Sequence, residues 1–243
     1  MMYLMTDFGN NDIYVGQLKA ALLRSSPALT IIDLLHGMPD QDLLAGAHLL
    51  AAVSSSLSGQ DDVFLAIVDP GVGGSRRPIV LKADHHWFVG PDNGLLSVVK
   101  QRASMCQLWE ITWRPELFSD SFHGRDLFAP VAAMLASGRW WDGALKETTS
   151  LDHAVDATDL HQVIYLDHYG NAYTGIRRGV LSKDHRLGVG GHELCYARTF
   201  SEVPEGALFW YENSIGLIEI AANCARASAL LGLSVGSEVS VIH

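Results

Sequence analysis

The sequence predicts a two-domain α/β protein: a Rossmann-like, mostly parallel sheet domain over residues 1–150, then a small antiparallel, β-barrel-like domain over residues 160–243. Three observations carry this prediction. Apolar runs at Tyr3–Met5, Leu29–Leu35 and Val63–Val68 alternate with helical segments, the order that builds a parallel sheet with right-handed crossovers. Beyond residue 160 the pattern changes to short alternating runs separated by turns, as in an antiparallel β domain. Between them, Lys146 to Asp159 is polar and without periodicity, and reads as the domain boundary.

Taken in order, Tyr3–Met5 is a strand that runs into Thr6–Asp7–Phe8–Gly9. Asn10, Asn11 and Asp12 have turn and helix-cap chemistry, and Val15 to Leu23 reads as a helix stopped near Pro27. After the second strand and a loop at His36–Pro39, Asp40 or Asp42 caps a helix that runs to about Ser54, with Leu43, Ala47 and Leu50 on one face. Val63–Val68 is the third strand. Thr6, Asp7, the segment Asp33 to His36, and Asp69 then fall at the carboxyl ends of parallel strands, the edge where open α/β sheets hold ligands. Pro78–Leu81 and Trp87–Val89 form a strand pair. Gly90 to Gly94 turns into a helix over Leu95–Gln101, and Leu108–Thr112 is a further strand. Ser121 to Asp126 precedes the helix Leu127–Ala136, which tolerates Pro130 in its first turn. The second domain is expected to use Gln162–Leu166, Ala172–Ile176, Glu193–Tyr196, Ala207–Tyr211, Leu217–Ala221 and Glu238–Ile242 as strands.

Composition narrows the function. With 48% hydrophobic and 18% charged residues the chain is globular rather than disordered. A net charge of −10 argues against a nucleic-acid or anionic-membrane surface and fits a small, even cationic, ligand. Cys106, Cys195 and Cys224 are far apart and contain no Cys-x-x-Cys, so neither a disulfide framework nor a zinc site is expected and a cytoplasmic location is. The residues before Thr6 are too few and not basic enough for a signal peptide, and Leu43–Val53 is too short to span a bilayer.

The chemistry-bearing stretch is Val68–Asp69–Pro70–Gly71–Val72–Gly73–Gly74–Ser75–Arg76–Arg77. A carboxylate at a strand end, a glycine-rich turn that admits close backbone approach, and two guanidiniums form a candidate ligand site. The same residues also suit an ordinary turn with solvated arginines, and no Gly-Lys-Ser/Thr follows, so it is not a P-loop. His123, just before a helix, is either a base or donor near a helix amino end or a capping histidine. Asp7, Asp12, His36, Asp40, Asp42 and His48 lack metal-ligand spacing and read as caps and turns, so no metal is expected. In the second domain Asp167–His168–Tyr169–Gly170–Asn171 is a hairpin turn in which Asp167 could pair an ammonium and Asn171 could read a base edge. With Asn213–Ser214–Ile215–Gly216 and Phe200 it forms an adenine-site inventory of aromatic, amide and backbone groups.

These motifs together resemble a known family. Thr6–Gly9, Tyr14–Gly16, Val68–Gly73 with Arg76 and Arg77, Gly90–Leu96, Phe122–Asp126, Asp167 with Gly170–Asn171, and Asn213–Ser214 with Gly216 and Glu219–Ala221 match, in order, the S-adenosyl-L-methionine hydrolases. These are also called SAM hydroxide adenosyltransferases and are relatives of fluorinase and chlorinase. The resemblance implies hydrolysis of S-adenosyl-L-methionine to adenosine and L-methionine without a cofactor. It also implies a homotrimer whose site lies between one subunit's N-terminal domain and a neighbour's C-terminal domain. It assigns Asp69, Arg76 and His123 to the nucleophilic water, and Asp7 or Asp12 to the ribose. Asp167 and Ser214 fall on the methionine, and Asn171, Phe200 and the backbone near Cys224 on adenine. The halogenating relatives carry an aromatic at Asp69 and a serine at Gly124, so this chain is expected to favour water over halide. Their ribose-shielding Trp falls on Gln41, a departure. The competing readings are a halide-dependent adenosyltransferase, separable by chloride dependence, and a non-catalytic nucleoside-binding protein, separable by ligand retention without turnover.

Overall fold

Met2–Thr6 forms β1, buried along its whole length, so it must be an interior strand of a sheet covered on both faces. In the computed structural model, which describes residues 1–139, 141 and 143–242, β1 lies between β2 (Ile31–Leu35) and β3 (Val63–Ile67), parallel to both. The sheet continues through β5 (His86–Pro91), β4 (Pro78–Ala83), β6 (Cys106–Ile111) and β7 (Leu145–Thr148), giving the order β2-β1-β3-β5-β4-β6-β7 among the described residues. Chain-wise, contacts separate two units, Met1–Asp156 and Ala157–His243.

The expectation of a mostly parallel sheet is corrected. β3 and β5 are parallel, but β5–β4, β4–β6 and β6–β7 are antiparallel, so half the pairings of this mixed sheet run each way. The cause is local. Only Asp84 and His85 separate β4 from β5, with Asp84 at φ 48°, and a two-residue link can join only antiparallel neighbours. The polar run after residue 145 is not all linker either: β7 pairs with β6 as a half-exposed edge strand, which is why it lacks an apolar pattern.

The strand pleat sorts the core. Met2, Leu4, Val63, Leu65 and Ile67 face a cluster with Leu18, Leu22, Val131 and Leu135 of α1 (Ile13–Ser25) and α4 (Ala129–Ala136). The alternate residues Tyr3, Phe64 and Phe88 stack in sequence on the other face, with centroids 5.0 Å apart at each step. α2 (Leu43–Ser55), apolar nearly all round, packs with α3 (Ser97–Arg102). Asp42, not Asp40, caps α2, accepting from the Ala45 amide, and Asp12 caps α1. A π-helical turn, Gly124–Phe128, precedes α4, so Pro130 sits at its start, where no amide is needed. Where β5 passes β3, a Cβ on Gly90 would overlap the Ala66 carbonyl oxygen. Gly90→Ala is therefore expected to cost about 1–3 kcal/mol, read as a lowered Tm by calorimetry.

The second unit contains two antiparallel sheets. One has the order β12-β13-β9-β8, formed by β8 (Leu160–Leu166), β9 (Ala172–Arg177), β12 (Leu208–Glu212) and β13 (Leu217–Ala222). The other has the order β11-β10-β14, formed by β10 (Arg186–Val189), β11 (His192–Leu194) and β14 (Ser240–Ile242). They share a core around Trp210, whose indole N–H donates to the His185 carbonyl. The barrel expectation is corrected: among the described residues the sheets stay open. Between the two sheets the strand pairing is limited, among the described residues, to single bridges, Gln162 to Glu238 and Tyr196 to Trp210, which fall outside β14 and β11, whose own three-residue ladders run to β10. β10 and α5 (Ala227–Leu231) were absent from the expected elements, and the strand expected at Glu193–Tyr196 begins at His192. Among the described residues no helix is long and apolar enough to cross a membrane.

Candidate functional site

Each unit carries a cleft. In the first, β3 ends at Ile67 and delivers Asp69 to the carboxyl edge of the sheet. Two turns follow, in which the Val72 amide donates to the Asp69 carbonyl and the Gly74 amide to the Gly71 carbonyl. Gly73 is at φ 81°, and a Cβ there would meet the Asp120 carbonyl oxygen at 2.7 Å, so this turn requires glycine. The turns fold Arg76 back onto Asp69. Its Nε lies 3.1 Å from both carboxylate oxygens and its Nη2 2.5 Å from Oδ2. The two side chains are only 7% and 6% exposed, which makes this a buried ion pair rather than a solvated one. Arg77 turns elsewhere, to the buried carboxylate of Asp92 and to Asp152.

Arg76 Nη2 also donates to His123 Nδ1 at 2.8 Å. A guanidinium can only donate, so Nδ1 is bare and the ring proton is on Nε2. Nε2 is buried without a hydrogen-bond partner among the described residues. Burial first, and the adjacent Arg76 charge second, hold the His123 pKa below its usual value, so the neutral ring is favoured. Phe118 packs on the imidazole at 4.4 Å, and Phe128 lies 5.3 Å beneath the Arg76 guanidinium. Asp69, Arg76 and His123 are thus one connected set. Asp69 and His123 line a cleft of about 400 Å³ with Asp7, Tyr14, Gln41 and Phe122. Asp7 has a raised pKa, chiefly through burial, opposed by a hydrogen bond from the Gln41 backbone. Gln41 itself is left-handed at φ 56°. Asp12 is exposed, its carboxylate spent on the Ile13 amide at 2.6 Å, and it does not line this cleft. Gly124 does, and a Cβ there would meet Ile67, Phe122 and Phe8 at 3.1, 3.3 and 3.4 Å.

The second cleft, about 600 Å³, is lined by Asp167, Asn171, Phe200, Cys224, Tyr211 and Glu219, among others. Asp167 accepts the Asn171 backbone and side-chain N–H groups at 2.8 and 3.1 Å. Phe200 stands in a short 3-10 turn, edge-on to Phe209 and Tyr211 at 5.1 and 5.6 Å. Cys224 is exposed at φ 55°. Ser214 is exposed in the turn before β13, where Leu217 pairs with Arg177 while Ile220 pairs with Ala172, so it lies at the end of β13 away from Asn171 and outside the cleft lining. Glu219 and Tyr211, not assigned a role from sequence, belong to the cleft floor. Glu219 is 1% exposed and accepts Tyr211 Oη at 2.7 Å and Asn213 Nδ2 at 3.0 Å. Its signal was a lone carboxylate in the apolar strand Leu217–Ala222. Among the described residues no group of three His, Cys, Asp or Glu side chains is placed to hold a metal ion. His36 bonds Thr6 and Asp33 instead.

Comparison with known proteins covers both units. Residues 2–143 match the model of the SAM hydroxide adenosyltransferase N-terminal domain, and residues 161–240 that of the C-terminal domain. A Thermus thermophilus protein named (R)-S-adenosyl-L-methionine hydrolase is 36% identical, covering 99% of each chain. A Salinispora arenicola protein of the same name is 35% identical over 97% of this chain and 95% of its own. A Nocardia brasiliensis fluorinase is 27% identical over 98% and 95%. The crystal structure of an uncharacterized conserved Thermotoga maritima protein superposes with a TM-score of 0.91 at 33% identity, covering both chains completely.

Proposed function

The chain belongs to the SAM hydroxide adenosyltransferase family, and on that premise we propose how it hydrolyses S-adenosyl-L-methionine to adenosine and L-methionine. Asp69, Arg76 and His123 hold one water in line with the C5′–S bond. The water oxygen attacks C5′, the C5′–S bond breaks, and its electron pair leaves on sulfur as a neutral thioether. The leaving group needs no acid, so the enzyme's task is to position the nucleophile. His123 donates to the water through Nε2–H, Asp69 accepts its proton, and the fixed Arg76 charge stabilises hydroxide character. The observation that carries this is the single hydrogen-bonded line from Asp69 through Arg76 to His123, with a buried, partnerless Nε2 at its end.

The remaining assignments complete the reading. Asp7 faces the ribose rather than Asp12, which is spent as a cap. Asp167 binds methionine, while Asn171, Phe200 and the Cys224 backbone bind adenine; Ser214, which lies outside this cleft, is not placed to share the methionine with Asp167. The active site is read as lying between one subunit's N-terminal domain and a neighbour's C-terminal domain in a homotrimer. A halide reading is disfavoured because Asp69 repels an anion, and a serine in place of Gly124 would crowd Ile67 and Phe122.

The test is incubation of the protein with the separate sulfonium epimers in ¹⁸O-water, with and without chloride. Adenosine carrying the label, formed at a rate independent of chloride, supports the proposal. 5′-chloro-5′-deoxyadenosine, or untouched substrate, overturns it. A pH profile checks the His123 role. Its folded pKa lies below 6.5, so kcat is expected to hold as the pH falls through 6.5 and to decline only below it. A decline centred above 6.5 contradicts a neutral, donating His123.

A further inference from the structure

We propose that Glu219 is a positioning residue that fixes the sense of the Tyr211 hydroxyl, so that the second cleft offers only an acceptor there and selects a ligand carrying a nitrogen donor. This rests on the reading of that cleft as part of the S-adenosyl-L-methionine site. The substrate brings two such donors, the 6-amino group of its base and the ammonium of its amino acid.

A run of hydrogen bonds leaves one proton order. Asn213 Oδ1 accepts the backbone amides of Ile215 and Leu217 at 3.2 and 2.9 Å. A backbone N–H only donates, so the oxygen of this side chain faces the turn and its NH₂ faces away. Asn213 Nδ2 then donates to Glu219 Oε2 at 3.0 Å. Tyr211 Oη donates to the other oxygen, Glu219 Oε1, at 2.7 Å. A carboxylate accepts on both oxygens, so the phenol spends its single proton there. Glu219 and Asn213 are only 1% and 7% exposed, which keeps water from substituting for either partner. Burial pushes the Glu219 pKa up, and the Tyr211 and Asn213 donors oppose that shift, favouring the accepting carboxylate. Burial and then the hydrogen bond to Glu219 push the Tyr211 pKa up, so the phenol keeps its proton.

Tyr211 and Glu219 both line the cleft, and the Tyr211 ring packs edge-on to Phe200 at 5.6 Å. With its proton committed to Glu219, Oη has only lone pairs for a ligand. A polar group of fixed sense rejects a ligand of the opposite sense, since both groups are left unpaired.

Glu219→Gln tests this order because it reverses it. Asn213 cannot turn, since two backbone amides hold its oxygen. The new amide must therefore give its carbonyl oxygen to Asn213 Nδ2 and its NH₂ to Tyr211 Oη. Tyr211 then accepts from position 219, and its own proton is freed for the cleft.

The experiment measures Kd by calorimetry on the intact protein for two ligand pairs: adenosine against inosine, and L-methionine against 4-(methylthio)butanoate, which lacks the amine. The wild type is expected to favour the amino member of one pair by about tenfold or more, and Glu219→Gln to lower that preference by about tenfold or more. The pair that responds identifies the donor that Tyr211 reads. Tyr211→Phe should lower the same preference, and adding Glu219→Gln to it should change the preference by no more than about twofold, because the two residues act as one unit. Damage to the fold alone weakens both members of a pair and leaves their ratio unchanged, so unchanged ratios in Glu219→Gln overturn the proposal. So does a wild type without preference in either pair, or a Tyr211→Phe variant that keeps both preferences, and neither result depends on Glu219→Gln folding. Failure of the hydrolase reading is distinguishable: it appears as S-adenosyl-L-methionine left intact by a protein whose preference still answers to Glu219.

Discussion

Asp69→Ala is expected to lower kcat for S-adenosyl-L-methionine by about 100-fold or more, while KM stays within a few-fold. Asp69 lines the first cleft and binds the guanidinium that in turn holds His123, so its removal takes away the proton acceptor and loosens the other two groups together. The adenine and methionine contacts proposed for the second unit are untouched, which is why the loss should fall on kcat. Adenosine release followed by chromatography at saturating substrate reads the effect, with Tm measured beside it. Turnover within a few-fold of wild type would remove Asp69 from the water-holding set. The alanine also abolishes a buried carboxylate whose partner Arg76 remains, and that cation sits over Phe128 at 5.3 Å. Some loss of stability is therefore expected, but a folded variant without activity is the informative result.

The first three strands and two helices were legible because each is a local pattern: β1 and β3 are short apolar runs, and α1 and α2 carry a cap residue at the predicted place. The direction of β5 was not legible, because it is decided by two residues at a hairpin and by which neighbour β3 accepts. β7 was lost for the converse reason. An edge strand needs only one covered face, so Lys146 and Glu147 could sit in a region that reads as linker. Barrel closure is likewise a property of strand lengths and seams, and nothing in the spacing of the runs reports that β11 and β14 stop after three residues.

The two site halves were unequally readable. Asp69 and Arg76 are seven residues apart on one glycine-rich turn, so their meeting was a local inference. His123 joins them across 47 residues, and only the resemblance brought it in; its tautomer is a three-dimensional fact, since it follows from which nitrogen Arg76 reaches. In the second unit Asn171 and its partner Asp167 were singled out by their turn, but the buried carboxylate of the cleft lies on another strand, β13. Glu219 becomes visible only when β13 is paired with β9, which sets it opposite Tyr173. Ser214 and Asp12 show the opposite limit. Both stand beside matching motif residues, yet one lies outside the second cleft and the other is occupied as a helix cap.

Arg76→Met should destabilise the protein by about 3–5 kcal/mol, because the guanidinium leaves and the Asp69 carboxylate stays buried. Against a typical total of about 5–15 kcal/mol that is a large fraction, and it corresponds to a Tm lower by about 6–20 °C for a chain of this size. The double variant Asp69→Ala/Arg76→Met removes both charges and should be more stable than Arg76→Met alone, a non-additivity that marks direct coupling. His123 responds too: without the donor at Nδ1 the ring can take either tautomer, so activity should fall with stability. Calorimetry of the wild type and the three variants reads all of this. If Arg76→Met melts within a degree or two of wild type, or the double variant is simply the sum of the singles, the pair is not the buried, coupled element that holds the site together.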